Sequence, residues 1–410
     1  MCGFIACKKS GVGTNDFIRR RGEDCTSTVE LTEHTFIHNL LSLTGTFMPQ
    51  PFVDGRIFCV YNGEIYNQPF ARSDGEVLIP LYRKYGESFP QHLDGEFSIA
   101  LYDFENQTAV FSTDAFRSKP VYLNEDGAAS YASGLRNPSK PIPFNTTIVR
   151  NLRTGAEKRL PVHDFDFDHQ EKQSYDDWIT AFDAAILKRG RGKRVFLGLS
   201  SGYDSGAIHC ALRKLNIEHM PFAIMGAEDL QTIRARGVEP MSFTKSDFQW
   251  GKDYINLHME DFEYQIYNTR RRIRNEESAF GMANIMVRAR EQGFRIYFSG
   301  QGADEIISDY GKWPTQSDFK GKFPEKLAPW GNFYGHCQEA YLAKEEHLGG
   351  TFSVETRYPF LDLQVVQEFL WLHVDLKNRH YKAPIREYML RNKYPFKEDD
   401  KRGFSPQCGI

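Results

Sequence analysis

The order of hydrophobic and polar residues differs between the two halves of the chain. Up to about residue 155, apolar residues fall in short runs at 35–38, 56–61 and 97–102, separated by polar or glycine-containing turns. Short runs of this kind, rich in aromatic and β-branched residues, are typical of strands joined in antiparallel order. The first 160 residues are therefore predicted to form an α+β domain, a sandwich with antiparallel sheets.

From residue 174 onward, the pattern instead favours buried strands that alternate with helices. Residues 161–173 are acidic and irregular, and we interpret them as a linker. Apolar runs at 194–199, 219–225 and 294–298 have the composition of strands in a parallel sheet, with helical patterns between them. Residues 174–410 are therefore predicted to form an α/β domain with a doubly wound parallel sheet.

Composition limits the partners of the protein. The 410 residues include 51 Lys and Arg against 54 Asp and Glu, a net charge of −3, so no overall basic field favours nucleic acid. The densest basic run, at 270–274, is followed by Glu276 and Glu277 and is predicted to lie on a solvated helix face. We therefore expect no nucleic-acid partner.

The cysteines and the apolar runs bear on the cellular location. Seven cysteines occur without a C-x-x-C pair, which excludes the common zinc spacings and gives no disulfide framework. The odd count, without a signal peptide, favours reduced thiols and a cytoplasmic protein. No apolar run in the sequence approaches the roughly 18 residues that a membrane span requires, so we expect no membrane partner.

A turn at 200–205 carries the first candidate chemistry. It follows the apolar run 194–199 and precedes a helical pattern, so its backbone N–H groups and the helix dipole would face an anion. Its serines and its glycine allow a phosphate to approach the main chain closely. Asp204 would repel a bare triphosphate, and it therefore fits this turn only if it holds Mg²⁺ against the phosphates.

Two other interpretations of this turn compete with a nucleotide site. Residues 198–202 also spell the G-x-S-x-G nucleophile elbow of serine hydrolases, and a strand, turn and helix can occur without any ligand. Residues 200–205, however, resemble the S-G-G-x-D-S signature of the PP-loop ATP pyrophosphatases, with Ser201 in place of the first glycine. Asp204 has no evident role in a hydrolase elbow, which favours ATP binding.

A second glycine-containing turn, at 299–305, follows the apolar run 294–298 and contains carboxylates. In a doubly wound sheet this turn would lie beside the first, where ligands bind at the carboxyl ends of the strands. Asp204 and Asp304 would then converge on one Mg²⁺ ion. Lys382 is interpreted either as a surface lysine or as a cation that faces a departing pyrophosphate.

The second residue of the chain is a candidate nucleophile. If Met1 is removed, the α-amino group of Cys2, with a pKa of about 8, can take a proton from the thiol or from a bound water. The alternative is that Cys2 is a small buried residue on a first strand at 3–6.

Polar residues elsewhere in the first half allow similar pairs of interpretations. Asn62 and Gly63 interrupt an apolar strand and predict either a hairpin turn or an oxyanion hole made by the Asn62 amide and the Gly63 N–H. Asp74 precedes a helical pattern and would be either its N-cap or part of a ligand site.

Segments from both halves, in this order, resemble the glutamine-hydrolysing asparagine synthetase family. That family joins a glutaminase domain of the N-terminal-nucleophile type to a PP-loop synthetase domain. The shared order and spacing extend over essentially the whole chain and weigh against a serine hydrolase. The segments are 1–3, 20–24, 61–67, 73–76, 94–97, 200–205, 299–305, 354–362 and 382–386.

The resemblance implies a role for each residue of a glutaminase site in residues 1–160. Cys2 would be the nucleophile. Asn62 and Gly63 would form the oxyanion hole, and the same two residues with Glu64 and Asp74 would bind glutamine.

The resemblance also implies an ATP site in the second domain, with Mg²⁺ as the cofactor. Asp204 and Asp304 would hold the metal, while Lys382 and Gln301 would face pyrophosphate and the intermediate. A substrate carboxylate would be adenylated, ammonia passed internally from Cys2 would attack it, and an amide, AMP and pyrophosphate would be released. The residues implied in nucleotide binding are Leu199, Ser200, Ser201, Gly202, Asp204, Ser205, Ile224, Ser299 and Gly300.

Two positions depart from the family pattern. The family's arginine for the glutamine α-carboxylate is Leu40 here, so that either Arg20 or Arg21 substitutes, or glutamine binds poorly, or the nitrogen donor differs. Losing a charge-assisted contact of this kind costs about 1.5–3 kcal/mol. Gln301 replaces a glutamate expected to assist attack on the adenylate, so an acceptor other than aspartate is also considered.

The predicted function is glutamine- and ATP-dependent amidation of a carboxylate, with aspartate or an analogue as acceptor; a homodimer is one option for the assembly. A specialised acid substrate and a β-lactam-synthetase-like cyclase are alternatives, although Cys2 argues against the cyclase. A catalytically faded binding or regulatory homologue is the third. Leu40 and Gln301 favour it, whereas the intact Cys2, Asn62, Asp74, Asp204 and Asp304 weigh against it.

Overall fold

The computed structural model describes residues 2–226, 228–266, 269–311, 313 and 315–398. The chain forms two compact units: the first contains the residues through Asp164 together with Gly349–Ser353, and the second contains Phe165–Leu348 and the residues from Val354 onward. Cys2 and Asn62 therefore belong to the first unit, and Asp204 and Asp304 belong to the second.

Residues 2–164 of the first unit form twelve strands and one α-helix. In chain order these are β1 (Gly3–Lys8), β2 (Cys25–Glu30), β3 (His34–Leu40), β4 (Phe52–Asp54), β5 (Ile57–Ile65), α1 (Leu78–Tyr85), β6 (Gly95–Asp103), β7 (Thr108–Thr113), β8 (Tyr122–Leu123), β9 (Gly127–Ala129), β10 (Lys140–Pro141), β11 (Thr146–Asn151) and β12 (Glu157–Pro161). Within that range they build two six-stranded antiparallel sheets, in the orders β10-β8-β9-β1-β3-β2 and β12-β11-β7-β6-β5-β4. The prediction of antiparallel sheets in the first half is confirmed.

The core of the first unit lies between these two sheets. Phe4 on β1 and Phe36 on β3 pack in one cluster with Val60, Tyr102 and Phe111 from the facing sheet, and all five are buried. On each strand, the side chains that alternate with these core residues point to the opposite face of the sheet, as the two-residue period of a strand requires. Helix α1 packs against the opposite face of the second sheet.

Strand β5 shows that the hairpin interpretation of Asn62 and Gly63 is wrong. The strand runs through both residues without a break and pairs with β6 along its whole length, with Asn62 opposite Ser98. Gly63 has a φ of +142°, and a Cβ added there would lie 1.9 Å from the carbonyl oxygen of Glu96. Glycine is therefore required because the neighbouring strand approaches closely, and no turn is involved.

The second unit combines helices with a parallel sheet. Its described elements are α2 (Asp176–Gly190), β13 (Val195–Gly198), α3 (Tyr203–Lys214), β14 (His219–Phe222), α4 (Leu230–Ala235), α5 (Lys245–His258), β15 (Glu263–Ile266), β16 (Thr269–Arg272), α6 (Glu277–Glu291), β17 (Ile296–Phe298), α7 (Gly331–Tyr334), α8 (His336–Thr351, of which the residues from Gly349 onward are counted with the first unit), β18 (Glu355–Arg357), α9 (Leu363–Trp371), α10 (Val374–Asn378) and α11 (Ala383–Arg391). Strands β14, β13, β17 and β18 pair in that order, each in parallel, as predicted. In the described part of the chain, no helix has the length and apolar character needed to cross a membrane.

The parallel sheet brings the two glycine-containing turns together. Strand β13 pairs with β17, with Val195 opposite Ile296, so both strands end at the same edge of the sheet. A Cβ added to Gly300, in the turn after β17, would lie 3.0 Å from the Cβ of Asp204, after β13. The two turns are therefore neighbours in the fold.

The charge pattern of the basic run at 270–274 predicted a helix face, but only its last two residues enter a helix, the short 3-10 helix Ile273–Asn275. Its first part belongs to β16, which forms a hairpin with β15. The side chains of Tyr264 and Ile266 on β15 are buried, and they alternate with the exposed Glu263 and Gln265. That two-residue period favours a strand, and Arg272 contributes an exposed ion pair to Glu263.

Candidate active sites

Cys2 lies at the start of β1, where that strand pairs with β3. Its side chain is buried, and the backbone N–H of Leu41 donates to its Sγ at 3.4 Å. The guanidinium of Arg21 donates from Nε to the Cys2 carbonyl at 2.9 Å. The main chain of Cys2 is thus fixed, and its sulfur contacts both the N–H of Leu41 and, at 3.8 Å, the carbonyl of the same residue.

Asn62 connects Cys2 to strand β5. Its Oδ1 accepts the backbone N–H of Cys2 at 2.8 Å, and its side chain is completely buried. Its Nδ2 is also buried and has no hydrogen-bond partner among the described residues. A buried amide donor without a partner carries a free-energy cost unless a ligand accepts it, and here it lies on the same amide group that binds Cys2.

The carboxylate of Asp74 is bound to the end of β5. The N–H of Ile65 donates to its Oδ2 at 2.9 Å, and the hydroxyl of Tyr61 donates to the same oxygen. Burial and the charge of Asp74 raise the pKa of Tyr61 well above its usual value, so the hydroxyl stays a donor. Asp74 begins a short 3-10 turn after Ser73 and its side chain caps no helix, so the N-cap interpretation is wrong.

The structure thus brings together all the predicted residues of the glutaminase site. Asn62, Gly63 and Glu64 are consecutive on β5, Cys2 is hydrogen-bonded to the first of them, and Asp74 is bonded to the residue after the last. Glu64 and Asp74 are both buried carboxylates.

Leu40 packs directly beside Cys2 in a small apolar cluster. The cluster contains Cys2, Leu40 and Leu41, with Cys25 and Leu43 partly buried against it. The surroundings of the thiol on this side are therefore apolar, where the family pattern has a cation.

Arg21 does not take the place of that cation. Its guanidinium is buried, donates from Nη1 to the hydroxyl of Tyr131 at 2.7 Å, and lies 4.9 Å above the Tyr131 ring. Together with its bond to the Cys2 carbonyl, these contacts give Arg21 a structural role. We conclude that it is not the substitute considered from the sequence.

The turn at 200–205 is closed by its own serine side chains. The hydroxyl of Ser205 accepts the N–H of Ser200 at 3.0 Å, and the hydroxyl of Ser200 accepts the N–H of Gly202 at 3.1 Å. Helix α3 begins at Tyr203 with Gly202 as its N-cap, without a side-chain cap. The N-terminus of a helix of twelve residues therefore faces the turn, as an anion site requires.

Arg236 organises the carbonyl side of this turn and was not predicted from the sequence. It is 1% exposed, and its guanidinium donates to the carbonyls of Ser200, Ser201 (3.2 Å) and Gly202 (3.1 Å). A Cβ added to Gly206 would lie 2.7 Å from its Nη2. One buried cation thus satisfies three consecutive carbonyls and fixes the backbone conformation of the turn in front of helix α3.

Ser201, the residue that replaces a signature glycine, is bound to a carboxylate. Its N–H and its hydroxyl donate to Oε2 of Glu228 at 2.5 and 2.6 Å. The hydroxyl also accepts the N–H of Asp229 at 3.1 Å. The serine thus links the turn to the segment that leads into α4, a contact that glycine could make only through its backbone.

Lys382 joins the two acidic residues predicted to hold metal. Its Nζ lies 2.6 and 2.7 Å from the carboxylate oxygens of Asp204 and 2.8 Å from Oδ1 of Asp304. Burial would lower the pKa of Lys382, but the two carboxylates raise it well above its usual value, so it is charged. Lys382 is 3% exposed, so its interpretation as a surface lysine is wrong.

Asp204 and Asp304 also satisfy the requirements of a divalent cation. Both carboxylates reach one point, now taken by Nζ of Lys382, and each is about a quarter exposed. Carboxylate oxygens are the ligands that Mg²⁺ prefers, and it usually needs only one or two of them together with phosphate oxygens. The donor set therefore fits the predicted metal.

The turn after β17 continues the site toward helix α8. The hydroxyl of Ser299 accepts the N–H of Gln301 at 3.1 Å, and Ser299 is completely buried. The side-chain amide of Gln301 donates from Nε2 to Oε1 of Glu345 at 3.4 Å. Glu345 was not predicted from the sequence, because nothing in the pattern of α8 distinguishes it from a solvated glutamate.

Leu199 and Ile224, implied in nucleotide binding by the resemblance, are core residues. Leu199 is 0% and Ile224 2% exposed. The N–H of Leu199 donates to the carbonyl of Phe222 at 2.7 Å, which continues the pairing of β13 with β14. Their side chains help to hold the edge of the sheet in place.

Comparison with known proteins gives matches to both halves of the chain. A family model described as a glutamine amidotransferase domain matches residues 1–148. A putative glutamine-hydrolyzing asparagine synthetase 1 from Methanocaldococcus jannaschii is 26% identical over 398 residues, covering 83% of this chain and 69% of its own length. Glutamine-hydrolyzing asparagine synthetase 2 from Arabidopsis thaliana is 24% identical and covers 99% of this chain and 77% of its own. Glutamine-hydrolyzing asparagine synthetase 1 from Saccharomyces cerevisiae is 23% identical and covers 99% and 82%.

Solved structures give a much weaker likeness. Glutamine phosphoribosylpyrophosphate amidotransferase from B. subtilis, complexed with ADP and GMP, aligns at 11% identity and a TM-score of 0.30, covering 62% of this chain and 77% of that one. A score this low carries no argument about the fold.

The match over residues 1–148 makes the beginning of the chain a glutamine amidotransferase domain. The relatives that extend the match across the rest of the chain share one activity in their names. Over most of its length the chain is therefore similar to the glutamine-hydrolysing asparagine synthetases, a family of glutamine-dependent carbon–nitrogen ligases.

Proposed function

We propose that the protein amidates a carboxylic acid in an ATP-dependent reaction, with glutamine as the nitrogen donor and AMP and pyrophosphate as products. One observation carries this proposal: the Asn62 amide binds the N–H of Cys2 through Oδ1, while its buried Nδ2 has no partner among the described residues. An amide donor of this kind beside a thiol is what an acyl-transfer site needs for the oxyanion that forms during attack.

In the glutaminase half, Cys2 attacks the side-chain amide of glutamine. Nδ2 of Asn62 and the N–H of Gly63 stabilise the oxyanion, and Glu64 and Asp74 bind the glutamine. If Met1 is removed, the α-amino group of Cys2 takes the thiol proton and returns it to the leaving ammonia, and water then hydrolyses the thioester. The low exposure of both carboxylates supports this assignment, because an ammonium group would compensate their buried charge.

In the synthetase half, the turn at 200–205 binds the phosphates of ATP. An acceptor carboxylate attacks the α-phosphorus, and pyrophosphate departs toward the ammonium of Lys382. Ammonia then attacks the acyl-adenylate, which gives the amide and AMP. The N-terminus of α3 and the contact of Gly300 with Asp204 support this placement.

Asp204 and Asp304 would hold Mg²⁺, which neutralises phosphate charge when it is bound. In its absence Lys382 neutralises the same two carboxylates. Residues 1–160 would then be the glutaminase domain, 161–173 the linker and 174–410 the PP-loop synthetase domain, in a cytoplasmic enzyme.

A specialised acceptor acid is the second candidate function, with aspartate as the first. The observation that favours it is the bond from Gln301 to Glu345, because this neutral amide lies beside the nucleotide turn where the family pattern has a carboxylate. The apolar cluster of Leu40 beside Cys2 bears in the same way on the nitrogen donor.

The test is release of pyrophosphate and AMP with Mg-ATP and aspartate, first with ammonium and then with glutamine. Asparagine formed from both nitrogen sources supports the proposal with aspartate as acceptor. Glutamine hydrolysis without pyrophosphate release retains the glutaminase half and directs the assay to other carboxylates. Neither glutamine hydrolysis nor pyrophosphate release with any acid would contradict the proposal and favour the faded homologue.

A further inference from the structure

Helix α8 places a carboxylate, Glu345, beside the turn that follows β17. Its Oε1 accepts Nε2 of Gln301 at 3.4 Å, and Ser299 is a second hydrogen-bond partner. Gln301 and Ser299 are themselves joined through the Gln301 N–H. The carboxylate is therefore held from one side by two neutral residues of the turn.

The other oxygen of this carboxylate has no partner. Oε2 of Glu345 is buried and makes no hydrogen bond in the described part of the chain. A buried carboxylate oxygen without a donor is costly, and it is rare unless a ligand or a proton completes it.

A comparison with Glu305 shows that this arrangement is specific. Burial and the charge of Asp304 raise the pKa of Glu305 to about 7. Its Oε1 accepts the hydroxyl of Tyr310 at 2.6 Å and its Oε2 accepts the N–H of Gly302 at 2.9 Å, so both oxygens are used by the fold. Glu345 differs in that one oxygen remains for chemistry.

The charges around Glu345 leave it able to exchange a proton near neutral pH. Burial raises its pKa to about 7, Lys344 opposes the rise and Glu346 adds to it. Tyr297 on β17 also faces it, with its own pKa raised well above its usual value, so it stays neutral. Glu276, the residue just before α6, interacts with the charge of Lys344 as Glu345 does.

Glu345 lies close to the contact between the two nucleotide turns. Gly300 lies against Asp204, and Gln301 is the next residue along the chain. A group bonded to Gln301 is thus one residue removed from the contact between the two turns, where the proposed acyl-adenylate would form.

We propose that Glu345 is the proton acceptor when ammonia attacks the acyl-adenylate, with Gln301 as the residue that positions it. This inference rests on the function proposed above. A bond forms between nitrogen and the acyl carbon, the bond from that carbon to the phosphate oxygen breaks, and the electron pair leaves with AMP. One proton passes from the nitrogen to Oε2 of Glu345, which gives a neutral amide. Water then takes the proton from Glu345.

The experiment separates adenylation from amide formation. Adenylation is followed as acceptor-dependent exchange of labelled pyrophosphate into ATP, without a nitrogen source; amide formation is followed with ammonium. For Glu345→Gln we expect amide formation at pH 7.5 to fall about 100-fold or more, a usual contribution of a general base. Exchange should stay within about threefold of the parent, since no proton transfer to Glu345 occurs in that step.

The parent enzyme gives a second, independent test. At a fixed concentration of free ammonia, amide formation should fall tenfold per pH unit below about pH 7, because protonated Glu345 cannot accept a proton. Exchange should lack this limb. Glu345→Asp should retain the limb at a lower rate, and Gln301→Leu should lower amide formation more than exchange.

Glu346→Gln is the matched control. Glu346 is the adjacent, buried carboxylate of α8 and accepts the hydroxyl of Tyr358 at 3.1 Å. This variant should lower the melting temperature without changing the ratio of amide formation to exchange.

Two results would overturn the inference while the proposed function stands. One is a Glu345→Gln enzyme that forms amide and exchanges pyrophosphate at parental rates. The other is a folded variant that loses both activities equally, because Glu345 would then serve adenylation or structure. If Glu345→Gln does not fold, the parent's pH profiles decide. A parent without exchange with any acid refutes the proposed function itself.

Discussion

Lys382 donates to both carboxylate oxygens of Asp204, at 2.6 and 2.7 Å. The lysine has a left-handed backbone, with a φ of +48°, and directly precedes helix α11. Its position is thus fixed by the fold and not by a flexible side chain alone. Asp304 shares the same ammonium, so Lys382 places a positive charge beside both carboxylates of the proposed metal site.

Replacement of Lys382 should reveal whether the two carboxylates bind a metal ion. In Lys382→Met, Asp204 and Asp304 lose the ammonium that they share; removal of one partner from a buried ion pair costs about 3–5 kcal/mol. The partial exposure of the carboxylates, 24% and 23%, puts this case at the lower end. We expect a lower melting temperature that millimolar Mg²⁺ partly restores, measured by thermal denaturation with and without the metal.

Lys214→Met is the control for that experiment. Lys214 pairs with Asp183 on the surface and should contribute little. A Lys382→Met protein as stable as the parent, or one that Mg²⁺ does not affect, would contradict the assignment of the two carboxylates.

The Asn62 amide should matter only for the glutamine half of the reaction. We expect Asn62→Ala to lower glutamine hydrolysis about 10²–10³-fold, the usual loss for one oxyanion donor. Amide formation from ammonium should be unchanged. Measurement of glutamate release beside ammonium-dependent AMP release separates the two, and equal losses in both would refute the oxyanion role. Asn106→Ala, in the turn after β6, is the control.

A thiol-reactive glutamine analogue should label one cysteine. Cys2 has an N–H donor at its sulfur, whereas burial and the charge of Asp126 raise the pKa of Cys7 to about 12. Since the thiolate is the reactive form, Cys7 should not react near neutral pH. Peptide mapping by mass spectrometry would find the label on residue 2 and none in the Cys2→Ser protein; label elsewhere would count against Cys2 as nucleophile.

Arg236 should be required for ATP binding although it makes no contact with phosphate in our proposal. Arg236→Gln removes donors to three buried carbonyls, and leaving such groups unsatisfied costs about 1–3 kcal/mol each. We expect a higher KM for ATP in the exchange assay and a lower melting temperature. Arg234→Gln, two residues earlier and in an exposed pair with Glu239, should behave as the parent. Parental ATP affinity in Arg236→Gln would show that the turn does not depend on its carbonyl contacts.

The sequence predicted elements and motifs better than it predicted burial. The antiparallel and parallel sheets follow from local patterns, since runs of apolar residues report the faces of strands. Lys382 was ambiguous because a lysine beside a helix is usually solvated, and only the fold places it between Asp204 and Asp304. The hairpin at Asn62 was wrong because pairing with β6 over nine residues outweighs the local turn preference.

Residues that act across long stretches of the chain could not be found from spacing. Arg236 reaches the turn at 200–205 through packing of α4, and Glu345 reaches Gln301 through the placement of α8. Neither has a neighbouring residue in sequence that marks it as special. A polar residue that is buried by tertiary structure has no local signature.

The contacts of Arg236 have a consequence for shortened versions of the protein. Its Nε donates to the carbonyl of Pro395 at 3.0 Å, so the late part of the described chain supports the turn at 200–205. A chain trimmed at Tyr394 would keep every residue of the ATP signature and still lose this support. Truncation or proteolytic cleavage near residue 395 would therefore weaken nucleotide binding, although no motif of the ATP site lies in that region.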